Sequence, residues 1–254
     1  ANPSLDAVYI ATPHSDHFSY AFEAIRNNKH VLCEKPLTMN PFETMTLLDF
    51  ASSSGKFFME GYMYRSHPQT KNILDALDLF KGIGQPIFIE SNFGFRADVA
   101  PQHRLRNPDL GGGAILDIGC YPLSMSQLIA GKLLEKPFAE PISIDVTGRL
   151  DSTGVDAYSA ADIKYSDAVT AKIACAIDEE LDRTLRIFSD NTSITITDPW
   201  NCDYFNKGHA YIIVHYNDSE KSIESNDSVG LFTSEIDHAT KCITVGLIKS
   251  AFVT

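Results

Sequence analysis

The chain has 254 residues, 44% hydrophobic and 21% charged, the balance of an ordinary folded protein with room for one large domain or two modest ones. A net charge of −12 with no basic run argues against nucleic acid and anionic membrane surfaces as partners. No apolar run approaches the roughly 20 residues that span a bilayer, and the five cysteines are scattered without a CxxC pair, which predicts reduced thiols in a cytoplasmic protein and no zinc site.

The chain opens on Ala1 rather than Met and stops at SAFVT just after a helical pattern, which predicts a partial or processed chain. LDAVYIAT, residues 5–12, suits a strand buried on both faces. Phe18, Ala21, Phe22 and Ile25 follow at helical spacing, with Ser15 or Asp16 as candidate cap. HVLCE, residues 30–34, is a second buried strand, so the segment predicts a βαβ unit with parallel strands. Asn40 then caps a helix with Pro41 at its first position and Phe42, Met45, Leu48, Phe50 and Ala51 on its apolar side. Gly55 ends that helix, and KFFMEG, residues 56–61, reads as a third strand. Residues 1–65 thus predict half of a doubly wound sheet, with ligands outside the carboxyl ends of the strands. Those ends are Thr12-Pro13-His14, Glu34-Lys35-Pro36 and Glu60-Gly61-Tyr62.

The pattern changes after residue 65. Pro68 to Phe80 reads as a helix, QPIFIESNFGFR as an alternating strand, and 97–113 as a loop rich in Arg, Pro and Gly. Residues 113–131 are helical in pattern, and Pro122 must lie near the helix start or kink it. Six strand signals between 142 and about 225 predict a large, mainly antiparallel sheet, and an amphipathic helix covers about Ser234 to Ile248. The fold class is therefore α/β followed by α+β.

Chemistry concentrates at two landmarks. Lys35 is held extended by Pro36 at a strand end, where an ammonium can bond a substrate hydroxyl or lower the pKa of a neighbouring acid. The plain alternative is a surface lysine paired with Glu34. In GGGAILDIGCYPL, Asp117 and Tyr121 are four apart and share a helical face. A tyrosine is a general acid/base toward a carbinol when a cation such as Lys35 lowers its pKa; otherwise Tyr121 is packing. Arg104 and Arg106 precede the glycines, Arg65 and Arg96 end other segments, and Arg65, Arg106 and Tyr62 are candidate substrate contacts. His14 and His17 suit a helix start beside a cofactor; three apart, they resemble half a metal site, with no third ligand evident. Trp200, Tyr204 and Phe205 suggest an aromatic wall or buried packing.

Four segments in order over residues 7–131 resemble the glucose–fructose oxidoreductase/inositol dehydrogenase/MocA (Gfo/Idh/MocA) family. They are AVYIATPHSDHFSYAFEAIRNNKHVLCEKPLTMN, FFMEGYMYRSHPQT, FGFR and RLRNPDLGGGAILDIGCYPLSMSQLIAG. They look most like the dimeric dihydrodiol dehydrogenase and D-xylose dehydrogenase branch. The resemblance implies the C-terminal part of a Rossmann domain over 1–65. It also implies a substrate and dimerisation domain with an open antiparallel sheet over 66–254, the 113–131 helix packing back on the first part. It implies hydride transfer between NADP or NAD and a carbinol of a sugar, polyol or cyclic diol, with Tyr121 moving the proton, Lys35 beside it and Asp117 in support. Thr12, Pro13, His14, His17, Glu34 and Lys35 would line the cofactor, and the sheet would join a homodimer. The family's first strands and G-x-G-x-x-G turn do not occur in the sequence. That leaves open a non-catalytic remnant, or a sugar-binding protein without the dinucleotide-gripping half.

Overall fold

The computed structural model describes residues 2–202, 211–225 and 230–250. It begins with a three-stranded parallel sheet in the order β1 (Ala7–Ile10), β2 (His30–Glu34), β3 (Phe58–Gly61), connected by α1 (His14–Arg26) and α2 (Pro41–Ser53). Alternation along β2 divides the layers. Val31 and Cys33 pack with Ile10, Ala21, Ile25, Leu47 and Ala51 beneath α1 and α2, while Leu32 turns the other way to Phe57 and Met59. The helix Leu231–Thr244 covers that second face through Ala239 and Cys242, so a late segment closes over the first sheet.

Asn40 caps α2 as expected, its side chain accepting the Glu43 N–H at 3.0 Å, and Gly55 stops the helix with φ +61°. The expected apolar side is corrected. Leu47 and Ala51 are buried, whereas Phe42, Met45 and Leu48 face outward, with Phe42 81% exposed. This helix is apolar nearly all round, and the i, i+4 pair that reaches β2 defines its inner face. In α1 neither Ser15 nor Asp16 is the cap: the helix follows Pro13 without a side-chain cap, and Asp16 lies in its first turn.

A 3-10 turn, Met63–Ser66, leads to α3 (Pro68–Ala76), a second 3-10 turn, Leu77–Phe80, and β4 (Ile87–Gly94). A long loop reaches a π-helical turn, Ile115–Gly119, that runs into α4 (Cys120–Leu133). β5 (Ser143–Leu150), β6 (Asp156–Lys164), β7 (Val169–Ala176), β8 (Leu185–Ser189), β9 (Thr192–Ile196), β10 (Tyr211–Tyr216) and β11 (Ser219–Glu224) follow, and Leu231–Thr244 is α5. The eight-stranded sheet has the order β11-β10-β9-β8-β4-β7-β6-β5. The sheet is mainly antiparallel, as expected, with one parallel ladder: β4 pairs parallel with β7 and antiparallel with β8. Since β7 and β8 run in opposite directions, any strand inserted between them is parallel to one of them.

One face of this sheet buries Ile89, Ile187 and Ile194 against Met125 and Ile129 of α4 and Ile73 of α3. On the other, Phe88 and Phe188 stack at 5.6 Å and remain partly exposed. Among the described residues no helix is long and apolar enough to cross a membrane.

Candidate active site

Pro122 is the third residue of α4 and has no N–H to offer the carbonyls of Ile118 and Asp117. The turn before it is π-helical, and the Asp117 carbonyl accepts the ammonium of Lys35 at 2.5 Å. Of the two expected alternatives Pro122 takes the first, near the start of α4, and the turn before it is widened between Asp117 and Tyr121. Both residues still meet Lys35. Its Nζ lies 3.8 Å from Asp117 Oδ1 and 5.1 Å from the centroid of the Tyr121 ring. Lys35 itself follows β2, and the Lys35–Pro36 peptide is cis.

Arg104 completes the cluster, its Nη1 donating to Asp117 Oδ1 at 2.7 Å. Its loop folds tightly because Gly112 carries no side chain: a Cβ there would meet the carbonyl oxygens of Leu105, Arg104 and Asn107 at 2.8, 2.9 and 2.9 Å. The Gly111 carbonyl in turn meets His14 Nδ1 at 2.8 Å, tying this loop to α1.

The resulting cleft, about 360 Å³, is lined by Ala11, Thr12, Pro13, His14, Glu34, Lys35, Arg104 and Asp117. It stands outside the carboxyl ends of the parallel strands. Burial pushes the His14 imidazole below its ordinary pKa, favouring the neutral ring. Glu34 accepts the Tyr9 hydroxyl at 2.5 Å. Thr12 Oγ1 is buried at the cleft without a hydrogen-bond partner, an acceptor and donor that a ligand group can satisfy.

Tyr121 lies behind Lys35, 5% exposed, and does not line the cleft. Its O–H donates to Met63 Sδ at 3.5 Å, and Tyr62, Tyr64, Phe93 and Trp200 surround its ring. Burial, with smaller contributions from nearby acidic groups, pushes its phenol well above 10. The expected lowering by Lys35 is therefore corrected: the ammonium sits over the ring, not beside the oxygen.

Several expected residues stand elsewhere. His17 is buried, Nδ1 2.8 Å from the Pro36 carbonyl and Nε2 3.0 Å from that of Thr12, so it braces the strand ends from inside. Arg106 is turned away because the β5–β6 hairpin lies against its loop: it binds Asp151 at 2.6 Å and the Val99 carbonyl at 2.9 Å. Tyr62 is buried, edge-on to Tyr121 at 5.9 Å. Arg65 reaches Ser124 Oγ at 3.1 Å, while its Nε and Nη1 are buried without partners. Trp200 is buried packing, donating to the Asn92 carbonyl at 3.1 Å; Tyr204 and Phe205 lie outside the described residues. Among the described residues no three His, Cys, Asp or Glu side chains converge to hold a metal. Sequence reasoning chose Arg106 over Arg104 and passed over Met63. Two arginines one residue apart in a loop carry no signal for which turns inward, and a methionine carries none for a hydroxyl.

Residues 1–62 match the family described as "Oxidoreductase family, NAD-binding Rossmann fold" (GFO/IDH/MocA), and residues 81–195 match the "GFO/IDH/MocA C-terminal domain". The chain is similar to D-xylose 1-dehydrogenase (NADP(+)) 2 of Haloferax volcanii, 29% identical over 97% of this chain and 72% of that protein. It is also similar to trans-1,2-dihydrobenzene-1,2-diol dehydrogenase of Xenopus tropicalis, 28% identical over 100% of this chain and 74% of that one. The fold is that of aldose-aldose oxidoreductase from Caulobacter crescentus, solved with glycerol, at a TM-score of 0.81 and 23% identity, covering 97% of this chain and 71% of that one. With both family regions matched in order along one chain and the fold shared, the protein belongs to the Gfo/Idh/MocA family.

Proposed function

We propose that this chain serves an NAD(P)-dependent oxidoreductase that transfers hydride at a carbinol carbon of a sugar or cyclic diol, with NADP favoured. One observation carries the reading. Lys35 is held at the floor of a strand-end cleft by Asp117, with Tyr121 directly behind it. The names of the relatives, a xylose dehydrogenase specified for NADP+ and a dihydrodiol dehydrogenase, support the cofactor and substrate class.

The unpartnered Thr12 hydroxyl and the cleft at the strand ends fit a nicotinamide, which Thr12, Pro13, His14 and Glu34 would hold. When bound, the nicotinamide supplies the carbon that gives or accepts the hydride. Lys35 orients the substrate oxygen, and Asp117, clamped by Arg104, keeps Lys35 in place. Tyr121 holds the proton. Burial raises its pKa and makes the phenol a weaker acid, so proton transfer in either direction needs Lys35 drawn toward the phenol oxygen. We further propose a homodimer through the eight-stranded sheet, whose β5 is exposed along its whole length.

The test is Tyr121→Phe, assayed with NADPH and aldose or diol substrates. Turnover should fall about 10²- to 10⁴-fold while NADPH affinity stays within roughly twofold. Near-normal turnover would refute Tyr121 as the acid/base group.

A further inference from the structure

The turn that carries Lys35 is pinned from two sides. From α1, His17 holds the Pro36 carbonyl. From the end of β3, Glu60 Oε1 accepts the backbone N–H of Leu37 at 2.8 Å. Pro36 has no N–H, so the Leu37 amide is the first backbone donor after Lys35, and Leu37 is buried. Without Glu60 that amide would have neither protein nor ready solvent to bond, and a buried unpaired amide costs more than the bond is worth. The remaining freedom of the turn would then fall on Lys35, whose ammonium has to meet a single carbonyl oxygen at 2.5 Å.

We propose that Glu60 is the positioning residue for Lys35, acting through the Leu37 amide and through its own charge. The proposal rests on Lys35 being an active-site group. Glu60 faces charged and titratable neighbours on every side: Lys35 and Cys33 from β2 and its turn, Arg65, Tyr62 and Tyr64 from the segment after β3, and Cys120 from α4. Burial pushes the carboxyl up to about 7, against the opposing pull of the Leu37 N–H and the two cations. Glu60 therefore changes charge near neutrality while a carbonyl oxygen stays available to Leu37 in either state. Gln keeps the hydrogen bond and removes the charge; Ala removes both.

Two measurements on the full chain test this. Amide hydrogen exchange needs no activity. Leu37 should exchange at least about 10-fold faster in Glu60→Ala, and at the wild-type rate in Glu60→Gln. In the NADPH-dependent assay, kcat of Glu60→Ala should fall roughly 10- to 100-fold with the cofactor KM within about twofold. Glu60→Gln, fixed in the neutral state, should hold kcat near the reduced value that wild type shows on the acid side of about pH 7, and so lose the acid limb. Unchanged Leu37 exchange in Glu60→Ala, or unchanged kcat, overturns the proposal. If circular dichroism shows that Glu60→Ala does not fold, Glu60→Gln decides, and an acid limb identical to wild type overturns it. If wild type turns over no sugar or diol, the proposed function fails, and Leu37 exchange alone still decides the role of Glu60.

Discussion

Glu235 projects from α5 toward Gly61 and Glu34, 1% exposed, with no hydrogen-bond partner for its Oε1. Burial, and then the charge of Glu34, raises its carboxyl from 4.5 to about 8. The folded protein keeps this proton while the unfolded chain releases it, so the contribution is fully present below about pH 4.5 and drains away as pH rises to about 8. The slope is about 1.4 kcal/mol per pH unit from this group, with Glu60 adding its own below about pH 7. Glu235→Gln should remove the Glu235 share, matching wild type at pH 4 in urea titrations and exceeding its stability by a few kcal/mol at pH 8. Equal stability at both pH values would show that the carboxylate is relieved by some contact in the folded state. Glu235 was illegible in the sequence, because one glutamate in an amphipathic helix looks like any other. Glu34 and Lys35 were legible because they end a strand of a βαβ unit, where ligands bind; the charged pair alone reads as surface. Glu60 ends an apolar strand in the same way, and that signal was present but unused.

At the scale of elements, the site depends on how 111–122 is built. Gly113 has φ +116°, and a Cβ there would overlap Asp156 Oδ1. The other oxygen of Asp156 accepts the Ile115 N–H at 2.8 Å, at the mouth of the π turn. Gly113→Ala therefore strains the backbone and pushes away the carboxylate that anchors the turn. We expect a loss of about 1–3 kcal/mol by chemical denaturation, together with weakened turnover because Asp117 moves. An unchanged midpoint would mean that the loop rearranges freely. Strand positions, the α2 cap and the parallel pairing of β1 to β3 were readable because period, cap chemistry and βαβ geometry are local rules. The inner face of α2 and the β4–β7 pairing were not. The first depends on which of several apolar residues reaches a neighbouring layer, the second on which strands the chain leaves apart. Tyr121 sits at the boundary of the two cases: its motif was visible, but its burial behind Lys35 depends on four aromatic residues from distant segments.

For the molecule as a whole, the exposed apolar residues of the β5 region, Ile142, Ile144, Val146 and Leu150, call for a test of assembly. Sedimentation velocity should give a dimer that Val146→Arg shifts toward monomer, whereas a wild-type monomer at micromolar concentration would refute the proposed sheet-mediated dimer. The placement of β4 between β7 and β8 has a different consequence, in the order of synthesis. The ribosome releases β4 well before either neighbour exists, so both edges of the central strand emerge unpaired. β7 and the β5–β6 hairpin can close one edge first, and the other waits for β8. The newborn chain therefore passes through a period in which a half-built sheet offers an open edge to any other strand, and its yield in the cell depends on how well that edge is shielded.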